Sequence, residues 1–433
     1  MQISSNAHVV VIGGGPGGST AATLLVRDGF RVTLLEKASH PRFHIGESLL
    51  PANLTLLDQL GVRDAVEKIG MKKWGVEFNS PSHAQCSSVE FAEAWDKTMP
   101  YAFQVRRSEF DEILFRNASA AGVMAVENTA VTQVHFDPDG VRVDVKDDAG
   151  NASTLHADFV VDASGRDTFL SSRLKLKEKN AKHNSVAIFG HFTNAERLPG
   201  KSEGDISIFW FDHGWIWFIP LSDQTTSVGA VCWPRYLASR NKSLKDFFID
   251  TVALNPRLAD RLRHATLVDD LVHAAGNYSY SSSRATGERY LLVGDAFAFV
   301  DPVFSSGVYL AMHNAFDAAS TVATCLREPR AAKAAMTKYE KRVRQGPTEF
   351  SWFIYRVTNP TLRELFMDPR NSMRAKEAVL SVLAGHIFDH KVIRPSLWFF
   401  KCVYYISSAL NLKQTLAAKA RRKINIQDTP AAL

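Results

Sequence analysis

Sulfur, net charge and long apolar runs are all scarce in this chain. Four cysteines in 433 residues, at 86, 232, 325 and 402, are too few and too scattered for a disulfide framework. No two have C-x-x-C spacing, which argues against a zinc ribbon and a redox dithiol. His40 and His44 are four apart, but Pro41 lies between them and no third ligand is near, so no metal site is expected. The formal net charge is only +6, and no array of Arg and Lys interleaved with aromatics appears, so nucleic acid is not an expected partner. The segment Trp398 to Leu412 is strongly apolar, but Lys401 interrupts it and it is too short to span a membrane. With the basic run Lys419, Arg421, Arg422 and Lys423 it reads as an amphipathic helix capping a site, in preference to membrane-surface docking. Internal repeats and low-complexity tracts are missing. A buried strand opens at His8, leaving no room for a signal peptide, so the expected compartment is the cytoplasm.

What is present is ample apolar material, 45% of residues, in a length that favours two or three domains. His8 to Ile12 reads as a parallel-sheet strand, a Gly turn follows, and an Ala-rich helix runs from Pro16 to Asp28. Val32 to Leu35 is the next strand and ends at Glu36. Phe159 to Asp162 and Tyr290 to Asp295 return to the same sheet. Residues 183–233 alternate apolar and polar, which predicts an antiparallel sheet with one face packed. Val308 to Leu326 and Ala331 to Arg344 carry the helical period. The expected fold is α/β: a Rossmann-like dinucleotide-binding domain with an inserted antiparallel β-rich substrate domain and a helical C-terminal region. The segments 1–75, 101–182 and 283–345 would form the first, 76–100 and 183–282 the second, and 346–433 the third.

Gly13, Gly15 and Gly18 satisfy G-x-G-x-x-G between a strand and a helix, with Glu36 ending the next strand. Glycines there let the backbone approach a pyrophosphate, the helix N-terminus favours its charge, and the carboxylate accepts from ribose hydroxyls. NAD and FAD share this opening. Asp162-Ala163-Ser164-Gly165-Arg166, and Val293-Gly294-Asp295-Ala296 with Asp301-Pro302, resemble the second and third motifs of the hydroxylase-type flavoproteins. That resemblance implies FAD, with Asp295 near its ribityl and pyrophosphate. It implies Arg42 and Ser48 in Pro41 to Ser48, and Arg107, as further flavin contacts, and it aims the helix opening near Gly307 at the isoalloxazine.

Three features narrow the class: Trp215-x-Trp217-x-Ile219-Pro220, the stretch Phe299 to Gly307 fitting F-x-x-P-x-x-S-x-G, and Lys73 followed by Trp74 and Gly75. Over residues 5–345 the chain resembles the flavin-dependent halogenases, most nearly the branch that includes pyrrolyl and phenolic halogenases. The resemblance implies that FADH2, O2 and chloride or bromide give hypohalous acid. It implies a halide pocket at Ser306 and Gly307, and Lys73 as the catalytic residue presenting electrophilic halogen to the substrate ring, with Lys72 as the register alternative. Trp215 and Trp217 would partition flavin from substrate. No Glu is found to match the one the tryptophan branch pairs with its Lys; Ser305 or Ser306 stands there. No second dinucleotide motif is present, so a separate NAD(P)H-dependent flavin reductase is expected as partner. The substrate would be a small aromatic, free or tethered to an acyl or peptidyl carrier protein. An aromatic monooxygenase, or an isoprenoid reductase at a membrane, are the alternatives on the same FAD scaffold.

Overall fold

The computed structural model describes residues 7–276, 279–388 and 391–427; the expected outer limits at 1 and 433 lie outside the described residues. Strand His8–Ile12 sits inside a six-stranded sheet, parallel to Arg31–Leu35 on one side and to Phe159–Asp162 on the other. A strand in that position is covered on both faces, which is why its residues carry no polar alternation. Phe159–Asp162 in turn pairs in parallel with Tyr290–Leu292. Ile12 is level with Leu35 and Asp162, and Asp162 with Leu292. The glycine turn, Glu36, Ala163 and Val293 therefore leave the sheet at one edge, beyond the carboxyl ends of its strands. Open α/β sheets bind their ligands there.

Helix Pro16–Arg27 starts on a proline, whose missing N–H costs nothing at that position, and Gly29 follows it at φ +90°. Helix Ser306–Arg327 lies close enough to it that a Cβ on Gly17 would meet the Ala311 carbonyl at 3.3 Å.

A second sheet of eight strands holds Val186–Thr193, Thr226–Cys232, Gly214–Pro220 and Ile206–Phe211 in antiparallel succession. Gly75–Asn79 joins Ile206–Phe211 in parallel, and Ser87–Glu90 closes that edge. Alternation in the sequence predicts one packed face; the structure buries both. Ile206–Phe211, Gly214–Pro220 and Thr226–Cys232 are buried at every residue. Helices Leu244–Ala253 and Pro256–Arg261 cover the second face, where Phe209, Ile216, Phe218 and Val228 meet Phe248, Val252 and Leu258.

On the first face Trp217, Gly229 and Phe189 form one row, and Ile219, Ser227 and His191 the next. A Cβ on Gly229 would stand 2.2 Å from the Trp217 ring, so glycine is what lets the indole lie across that strand. Trp217 Nε1 donates to Ser227 Oγ at 3.1 Å.

The C-terminal part is helical, and it breaks at Asn411 into Arg394–Leu410 and Leu412–Asn425 instead of running as one segment to Leu412. Leu397, Phe400 and Tyr404 pack into the core, while Trp398, Tyr405, Ile406 and Leu410 are exposed. Arg422 donates to the carbonyls of Tyr355 and Lys182 and stands 3.3 Å from His183, tying the last helix to the interior.

Gly229→Ala should lower the unfolding free energy by about 1–3 kcal/mol, because the added methyl would displace the indole and break its bond to Ser227. The effect should appear as a lower denaturant midpoint at unchanged slope. An unchanged midpoint would mean that the indole yields freely.

Candidate active site

A cavity of about 570 Å³ runs from the sheet edge to the first face of the second sheet, lined at one end by Gly13, Gly15 and Glu36 and at the other by Trp215, Trp217 and Ile219. Gly13 is at φ +99°, and a Cβ there would strike the Ala163 carbonyl at 2.5 Å; one on Gly18 would strike the Gly13 carbonyl at 1.9 Å. Gly15 has only Arg42 Nη2 near, at 3.5 Å, so its face is open to the cavity. Two of the glycines thus close the turn, and the third gives backbone access. Glu36 accepts from the N–H of Gly14 at 2.8 Å and of Ala38 at 3.0 Å, with Arg42 Nη2 at 3.3 Å.

Arg107 is not the surface ion pair its sequence context allows. It is buried, donates twice to Asp111 at 2.8 and 2.9 Å, and reaches the Ile45 carbonyl at 2.9 Å. Arg42 joins the same Asp111 at 3.4 Å. Asp295 also lines the cavity, and burial pushes its carboxyl up to about 6, against the pull of Arg166 and Arg107.

The stretch Phe299 to Gly307 is locked by Asp301. Its carboxylate meets His183 Nε2 at 2.8 Å and accepts from Ser185 Oγ at 3.0 Å and the Val303 N–H at 3.1 Å. Ser305 follows in the left-handed region at φ 55° and leads into helix Ser306–Arg327. Ser305 and Gly307 line the cavity. Ser306 is buried and faces a small separate hollow of about 20 Å³, which Gly307 shares. A helix N-terminus with an unhindered glycine is a place where an anion is stabilised by N–H donors without a metal.

Lys73 ends the short strand Met71–Lys73, and strand alternation separates the two lysines: Lys72 pairs with Glu67 at the surface, while Lys73 is 1% exposed. Its Nζ donates to Ser48 Oγ at 2.9 Å and to the Leu49 carbonyl at 2.5 Å, with the Phe91 ring 5.3 Å away. Burial pulls its ammonium down to about 7, with Asp205 opposing. Asp205 Oδ1 accepts from both Trp74 and Gly75 N–H at 2.7 Å and so holds the strand after the lysine in place. Gly75 is needed because a Cβ would meet the Val89 carbonyl at 2.3 Å. Ser48, the residue Lys73 grips, lines the cavity. The lysine is therefore one hydroxyl away from the space that fits the dinucleotide.

Two buried residues here carry no signal in the sequence. Glu47 lines the cavity and bonds His191 Nε2 through Oε1 at 2.8 Å. Their positions are 144 apart, and only the sheet brings them together. The buried Trp215 Nε1 has no hydrogen-bond partner among the described residues. His40 pairs with Glu127 and His44 bonds the Ile45 carbonyl, so the two turn to different partners.

The residues fit FAD, and residues 6–350 match the FAD binding domain family, to which the chain belongs. Within it, this protein is a member of the flavin-dependent halogenases. It is 37% identical over 358 residues to a tryptophan 2-halogenase of Chondromyces crocatus, covering 80% of this chain and 66% of that one. It is 31% identical to the 1H-pyrrole-2-carbonyl-[peptidyl-carrier protein] chlorinase of Pseudomonas fluorescens, covering 88% and 90%. The solved myxobacterial chondrochloren halogenase superposes with a TM-score of 0.78 at 32% identity, over 89% of this chain and 91% of that one.

A lysine depressed to about 7 in the fold binds fewer protons than its unfolded counterpart between about pH 7 and 10. Its contribution to stability therefore rises with pH across that window. The difference in unfolding free energy between the parent and Lys73→Met should move in the parent's favour from pH 7 to 10. A difference that does not vary with pH would show that the ammonium is not desolvated.

Proposed function

We propose that this halogenase uses FADH2, O2 and chloride or bromide to halogenate a pyrrole or phenol by electrophilic substitution, in secondary metabolism. The observation that carries the reading is Lys73: a buried amine, pulled down to about 7 by burial and held by Ser48 at the edge of the flavin-fitting cavity. When bound, reduced FAD supplies two electrons to O2, so that halide becomes hypohalous acid. The rest falls to the protein. The N–H groups around Ser306 and Gly307 hold the halide. The row Trp215, Trp217 and Ile219 keeps the substrate out of the flavin compartment and lets a small oxidant pass. Lys73 receives it by hydrogen bond or as an N–halogen bond and presents the halogen to the ring. Protonated amine cannot form that bond, so a pKa near neutrality is the useful one.

A separate NAD(P)H-dependent flavin reductase supplies the reduced flavin. The relative in Pseudomonas fluorescens is named for a carrier-bound pyrrole, and coverage of 90% of its length supports a carrier-tethered substrate here as well. The name of the Chondromyces relative favours a second reading, an indole.

Lys73→Ala should still release hypohalous acid to a chemical trap at a rate near the parent's, while halogenated product falls by about 100-fold or more. Equal product from both proteins would sink the mechanism. For the wall, Trp215→Ala and Trp217→Phe should let hydroxylated product appear, measured by mass spectrometry. Unaltered halogenation with no such leakage would count against a steric role.

A further inference from the structure

Making hypohalous acid consumes a proton. The balance is FADH2 + O2 + X⁻ + H⁺ → FAD + HOX + H2O: an O–X bond forms, the O–O bond breaks, and the second oxygen leaves as water. Two electrons come from the flavin and two from the halide. The wasteful reaction, FADH2 + O2 → FAD + H2O2, consumes none. At the Trp217 end the cavity is lined by buried side chains, where an acid held by the protein would supply that proton.

Resting on the proposed function, we propose that Glu47 and His191 share the proton that the halide reaction consumes. Glu47 is 2% exposed and His191 8%. Glu47 Oε1 is taken by His191, and Oε2 is buried without a hydrogen-bond partner among the described residues. Among the described residues, no other carboxylate oxygen lining the cavity is left in that state. Glu36 accepts from the N–H groups of Gly14 and Ala38, the exposed Asp167 pairs with Lys37, and Asp295 feels the charges of Arg166 and Arg107. The pair stands at the Trp217 end: His191 shares a row with Ser227 and Ile219, and Glu47 precedes Ser48, which holds Lys73.

One proton on a carboxylate and an imidazole leaves the pair neutral, so it does not repel the halide as a lone carboxylate would. The surrounding charges come from three elements. Arg107 is fixed on Asp111 and the Ile45 carbonyl, and Lys73 on Ser48. His273 is half-buried and stacks on Phe43, with ring centroids 4.8 Å apart. Phe43 is 55% exposed and faces the His191 ring edge-on at 6.3 Å, so the cluster reaches from the cavity towards solvent.

The test is the ratio of hypohalous acid to hydrogen peroxide when the reduced, halide-loaded protein meets O2, for the parent, Glu47→Gln and His191→Phe. FAD affinity is measured beside it by fluorescence titration. The parent ratio should exceed that of both variants throughout pH 6 to 8. In both variants it should fall by about tenfold or more at pH 8 and drop about tenfold per pH unit, as expected when the proton comes from bulk water. FAD affinity should stay within about threefold, and formate should partly restore the ratio in Glu47→Gln. A ratio that follows the parent's, or a loss matched by lost FAD affinity, overturns the assignment. A parent that yields no hypohalous acid at all would sink the halogenase reading itself.

Discussion

Trp217 lies across Gly229, and much of the second sheet can be understood as what holds it there. The indole fills the space that any larger residue at 229 would need, with its Nε1 on Ser227 and Phe189 and Trp215 beside it at about 6 Å. Such a row keeps its rotamers only if the strands beneath cannot flex. A sheet with one wet face would be easier to bend than one packed on both sides at crystal-like density. The helices Leu244–Ala253 and Pro256–Arg261 remove that freedom by covering the far face. The near face then becomes the cavity's rigid end, and the same strands carry His191 to within reach of Glu47.

Lys73 shows a second constraint. Burying an ammonium is unfavourable, and the fold answers by moving the group towards neutrality without supplying a contacting carboxylate. Asp205 could have made a salt bridge, yet its Oδ1 is used on the backbone of Trp74 and Gly75. A lysine serving only to stabilise the fold would gain from the opposite arrangement, a directly paired charge. Holding it on one hydroxyl and one carbonyl keeps the amine both placed and reactive. On this reading the fold gives up stability below about pH 10, most fully below about pH 7, in exchange for a nucleophile.

The βαβ opening was legible because its signals are local: glycine at +99°, an apolar strand, an acidic residue at the next strand's end. The row of Trp215 and Trp217 was also legible, since strand period puts them on one face. The burial of the other face was not, because Ile216 and Phe218 meet helices more than twenty-five residues further on. Lys73 against Lys72 could not be decided until the pairing of Met71–Lys73 with Ala102–Gln104 fixed which residue points inward. Glu47 stood inside a recognised segment, yet gained a partner only through a contact 144 residues distant. Local chemistry is written in the sequence; pairings across the fold are not.

The serine at the position of the missing glutamate bears on what the protein can halogenate. Of the two serines offered there, Ser305 sits in a left-handed conformation beside the cavity at the entry to helix Ser306–Arg327, and Ser306 is buried. A hydroxyl is no base near neutral pH. The proton expelled from a halogenated ring must then leave without a strong acceptor at that position. A ring that resists losing it would return to starting material, whereas a phenol or pyrrole stabilises the cationic adduct through oxygen or nitrogen and gives up its proton readily. A serine where the tryptophan branch has its Glu therefore favours an activated substrate.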